Sequence, residues 1–156
     1  MYKTLSILIG LSLFYAMHRS SRDPPIRWDF HTAKIADNIY EVDLHAFAYY
    51  PWHIFPTKMS IEEPGMPTAI IFEGSPYLKA VGTIEEKGSL ITFESKQLKV
   101  PIHYYEEVIF SQYFSFRQNI KQATLKGIVQ WQQCYGNFDN VRSIGIKHFS
   151  IIITRE

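Results

Sequence analysis

PIRWDFHTAKIADNIYEVDLHAFA, Pro25 to Ala48, decides the reading of this chain. Ile26, Trp28 and Phe30 alternate with Arg27, Asp29 and His31, the period-two pattern of a strand with one face buried. The Asp37–Asn38 pair supplies turn residues, and the alternation resumes with Tyr40, Val42, Leu44, Ala46 and Ala48. Two alternating runs around a short polar turn make a hairpin, its second strand the longer.

Outward from that hairpin the pattern repeats. Trp52 to Phe55 lies between Pro51 and Pro56, which suits a bend or an edge strand. Residues 57–68 contain Pro64, Gly65 and Pro67 and read as a loop leading into a strand over Thr68 to Glu73. Leu78 to Ile84 reads as a weak strand, and residues 85–101 as a long surface excursion. Glu107 to Phe116 alternates again, with Val108, Phe110, Gln112, Phe114 and Phe116 on one side. Leu125 to Trp131 follows, then a turn through Gly136, Asn137, Asp139 and Asn140, and a last strand over Ile144 to Thr154. Apart from the leader, no long 3.6-residue stripe competes with the strand pattern. Seven or more closely spaced strands predict an all-β fold, an immunoglobulin-like β-sandwich.

Composition agrees and excludes much. The chain has 156 residues, 46% of them hydrophobic and 15% aromatic, enough for one domain with a real core. A formal charge of +1 gives no electrostatic case for nucleic acid or an anionic membrane as partner. Residues 1–20 open with Lys3 and the apolar run Leu5 to Met17, which reads as a signal peptide or, alternatively, an uncleaved anchor. An exported domain is therefore expected, membrane-anchored only if residues 5–17 are retained. The folded domain is placed at 24–154.

Motifs for catalysis are absent: there is no G-x-S-x-G elbow, P-loop, H-E-x-x-H or C-x-x-C. The six histidines lack metal-ligand spacing, although His45 and His53 have a chance to approach across strands; no metal and no cofactor are expected. The pairs Glu62–Glu63, Glu85–Glu86 and Glu106–Glu107 read as solvated surface. The aromatic group Tyr49, Tyr50, Trp52 and Phe55 reads either as packing or as a face that stacks on a glycan or peptide. Cys134, the one cysteine, is either a structural residue or a thiol with an external partner, and no Lys, Arg or His adjoins it in sequence.

Four segments, in this order, resemble the N-terminal periplasmic domain of the disulfide reductase DsbD, the disulfide bond corrector family. They are the opening hairpin, WHIF (Trp52 to Phe55), PGMPTAIIFE (Pro64 to Glu73) with LKAVGTIEE (Leu78 to Glu86), and VIFSQYFSF (Val108 to Phe116) with LKGIVQWQQC (Leu125 to Cys134). The resemblance covers residues 24–154 and implies an immunoglobulin-like sandwich in the periplasm. It implies thiol–disulfide interchange, in which a thiolate attacks a disulfide sulfur and a second Cys resolves the mixed disulfide. Cys134 matches the first cysteine of the family's pair, while Phe138 to Asn140, where the second belongs, contains none. Full reductase chemistry is therefore not expected. By position a capping loop falls within residues 88–104, with Trp52, Phe55 and Tyr135 at the binding face. The implied partner is a periplasmic thioredoxin-like protein or a membrane redox protein.

Overall fold

The computed structural model describes residues 25–96, 98–135 and 140–155, with Cys134, Tyr135 and residues 140–142 described by their backbone alone. The expected leader, and the expected turn at Gly136, Asn137 and Asp139, lie outside these residues. Asn140 belongs to a strand.

Ten strands and no helix are present among the described residues. They are β1 (Ile26–Ala36), β2 (Ile39–Ala48), β3 (Trp52–His53), β4 (Ala69–Phe72), β5 (Leu78–Gly88), β6 (Ile91–Glu94), β7 (Pro101–Tyr104), β8 (Glu107–Phe116), β9 (Gln122–Tyr135) and β10 (Asn140–Thr154). One sheet has the antiparallel order β1-β2-β8-β5. The second has β9 at its centre, with β10 along one side and β3 and β4 sharing the other. β6 and β7 form a separate two-stranded hairpin. The arrangement is the expected immunoglobulin-like sandwich.

Alternation builds it. Tyr40, Val42, Leu44, Ala46 and Ala48 of β2 are buried, as are Val108, Phe110, Gln112, Phe114 and Phe116 of β8. The turn between β1 and β2 closes at Asn38, whose φ of 57° an asparagine tolerates and whose Nδ2 donates to the Phe116 carbonyl at 3.1 Å. Aromatic rings join the sheets: Trp28, stacked on Phe110 of its own sheet at 5.9 Å, meets Trp131 of the other at 5.3 Å, and Phe72 meets Phe114 at 5.0 Å. Such pairs add roughly 0.5–1.5 kcal/mol beyond their buried area.

Two glycines are required by those rings. Gly145 on β10 is paired with Trp131, and a Cβ at Gly145 would fall inside the indole. Gly127 is paired with Phe149, and a Cβ there would also come within 2.5 Å of the Ile71 carbonyl oxygen.

The structure corrects the middle of the chain. Residues 85–101 are not one surface excursion: β5 continues to Gly88, and the β6–β7 hairpin follows. Its inner side chains are sparse, Ile91 and Phe93 against Ile102 and Tyr104, too short an alternation to stand out between charged residues.

Candidate functional site

β3 is short because prolines bracket it, and it does two jobs. Trp52 packs against the main core between the sheets, and Ile54 is buried in it. His53 and Phe55 point to the opposite side, as alternation demands, where the sheet containing β9 turns its outer surface. There Phe55 and Ile102 form a second, smaller core with Met59, Phe93 and Tyr104. The β6–β7 hairpin thus lies as a cap over one end of the outer surface.

The cap is fastened at both ends. Ile54 and Tyr105 exchange backbone hydrogen bonds of 3.0 and 2.8 Å, which ties β3 to the end of β7. The His53 and Tyr104 rings lie 4.2 Å apart. Glu86 accepts from the Thr57 amide at 2.7 Å, from the Thr57 hydroxyl and from the Tyr105 hydroxyl at 2.9 Å. Burial, and then that bond to the Glu86 carboxylate, push the Tyr105 hydroxyl up to about 12. Burial also raises the Tyr104 hydroxyl, with a further push from the Glu106 charge. Glu63 accepts from the His103 amide at 3.3 Å and pairs with His103 Nδ1 at 3.1 Å.

Segment 56–68 crosses the outer surface of β9 beneath this cap. The Met66 amide donates to Gln132 Oε1 at 2.6 Å, and the Thr68 hydroxyl donates to the Phe55 carbonyl at 2.6 Å. Gly65, with φ of +124°, passes where a Cβ would stand 3.0 Å from the Phe55 ring.

Along β9 the odd-numbered Ala123, Leu125, Val129 and Trp131 are buried between the sheets. Gln130 and Gln132 therefore belong to the outer face. In backbone register Cys134 is the partner of His53, and Tyr135 of Trp52. The Cys134–His53 pairing is invisible in the sequence, because 53 and 134 meet only when β3 pairs with β9.

Other expectations fare differently. Trp52 and Phe55 do not form one face with each other. Trp52 packs against the main core, whereas Phe55, 1% exposed, belongs to the second core with Ile102. Glu63 and Glu86 are not solvated surface: the Glu63 side chain is 8% exposed, and both hold the cap in place. His45 and His53 do not converge. His45 sits on the outer face of β2 with Nε2 2.7 Å from Glu107, while His53 belongs to the other sheet. Among the described residues no group of three His, Cys, Asp or Glu is placed to hold a metal ion.

No protein-family model matches the chain, and no curated protein matches it either. In fold it is similar to the N-terminal periplasmic domain of ScsB from Proteus mirabilis, with a TM-score of 0.54 and 10% identity. The similarity covers 86% of this chain and 48% of that one, so the chain spans about half the length of the protein it matches. This likeness is one of fold: the chain is an immunoglobulin-like sandwich of the kind found in that periplasmic domain.

Proposed function

We propose that this is an exported, DsbD-like interaction module that engages a thiol–disulfide protein through Cys134. One observation supports the reading: the β3–β9 register pairs Cys134 with His53, whose ring meets Tyr104 of the cap. The segment order quoted above and the likeness to a periplasmic domain support it.

The chemistry open to one cysteine is reversible exchange. The Cys134 thiolate attacks one sulfur of a partner disulfide, a new S–S bond forms, and the displaced partner sulfur leaves as a thiolate that takes a proton from solvent. The partner's second thiol then attacks the mixed disulfide and restores both original species. No net electron transfer results, so the module tethers its partner and is not itself a reductase. A histidine near a cysteine favours the thiolate when protonated.

The test is the alkylation rate of Cys134 against pH, in the native protein and in urea. A native thiol pKa below the ordinary value of about 8.5, with an increase on His53→Ala, is the expected result. Trapping with a thioredoxin-like protein whose resolving cysteine is replaced then yields a mixed disulfide that Cys134→Ser abolishes. Labelling only in urea overturns the reading and leaves Cys134 as packing.

A further inference from the structure

A cleft of about 440 Å³ opens between the turn after β2 and the turn before β8. Phe47, Ala48, Tyr49, Tyr50, Glu106 and Glu107 line it. We propose that this cleft receives a lysine or arginine side chain of a protein partner.

Three features specify a cation. Phe47 and Tyr49 stand edge to face with centroids 5.0 Å apart, and Tyr50 beside them is 80% exposed. Aromatic faces attract cations through the ring quadrupole, and this chain already uses one so: the Arg27 guanidinium lies 6.0 Å over the Phe47 ring. Arg27 is itself paired with Asp29 at 3.0 Å. Glu106 and Glu107, which line the same cleft, supply carboxylates, Glu107 also bonding His45 at 2.7 Å. Carboxylates and aromatic rings in one cleft offer an alkylammonium or guanidinium both charge-assisted hydrogen bonds and a π face.

Two features favour a side chain presented by a protein. The walls are held from behind, since the Ala48 amide donates to the Glu106 carbonyl at 2.8 Å and the Tyr49 amide to the Pro25 carbonyl at 3.0 Å. The mouth is open, and Tyr50 is separated only by Pro51 from Trp52, the partner of Tyr135. A partner gripping this cleft would therefore cover the end of the sheet that holds Cys134. None of the described residues lining the cleft is a cysteine, so binding there does not depend on the thiol reading.

The test uses the full chain with Cys134→Ala, which silences exchange, titrated with the blocked peptides Ala-Arg-Ala, Ala-Lys-Ala and Ala-Gln-Ala. Amide NMR signals of residues 47–50 and 106–107 are expected to move with the arginine and lysine peptides and not with the glutamine peptide. Glu106→Gln with Glu107→Gln should weaken binding about tenfold and Tyr50→Ala about fivefold, with binding falling as salt rises. Tyr50→Ala, at an exposed position, serves if the double variant fails to fold. Equal response to the glutamine peptide, or affinity unchanged by these substitutions, overturns the proposal. So does a cello-oligosaccharide that shifts the same signals when the basic peptides do not, which would make the cleft a glycan site.

Discussion

The two cores of this molecule are built on consecutive residues, Ile54 and Phe55 just after β3, and obey different rules. Ile54 enters the main core, where strands of ten residues or more from two sheets interlock around Trp28, Phe110 and Trp131. Phe55, its neighbour, enters a core of two fully buried side chains closed by a hairpin of two four-residue strands. Apolar area holds the first. The second buries too little to stand alone, and carboxylates fasten it: Glu86 to Thr57 and Tyr105, Glu63 to His103. A cap held by a few polar pins over a small apolar base is a low-stability element, able to open without global unfolding.

The contrast can be broken in descending steps. Phe110→Ala removes a fully buried ring from the centre of the main core and should cost about 3–5 kcal/mol in urea unfolding. A loss under about 1 kcal/mol would mean the sheets do not pack through this ring. Gly145→Ala should cost about 1–3 kcal/mol because its Cβ displaces the Trp131 indole, read as a changed tryptophan emission along with a lower midpoint.

Phe55→Ala should act locally. Its global cost should stay below about 3 kcal/mol, while amide exchange of residues 91–104 accelerates far more than that of β2 or β8. Uniform acceleration would merge the two cores into one. Smallest at neutral pH is Glu86→Gln, expected to cost about 1 kcal/mol by weakening a charge-assisted bond. It should lower the Tyr105 pKa from about 12 while leaving the part due to burial, seen by spectroscopic titration. Since the folded pKa is raised, the associated stability is complete below the ordinary tyrosine value of about 10 and lost as pH rises through about 12. An unmoved Tyr105 titration would remove Glu86 from the fastening of the cap.

Much of the fold was legible where alternation was long. β2 and β8 bury the side chains their pattern assigns, and the Asp37–Asn38 turn closes where expected. The β6–β7 hairpin was not legible, because four-residue strands set among charged residues give alternation too little length to register. The partners of Glu63 and Glu86 were beyond reach: His103 and Tyr105 are local to neither.

By itself, then, the sequence determined the class of fold, the strands with long apolar periods and the presence of one thiol, because side-chain periodicity is a local property of the chain. Only the tertiary structure decided that Cys134 lies opposite His53, that Glu63 and Glu86 fasten a cap, and that Tyr49 and Tyr50 share a cleft with Glu106 and Glu107. Those juxtapositions come from strand register and from turns meeting at one end of the sandwich. Register between distant strands is set by how the buried faces fit together, which no local pattern encodes.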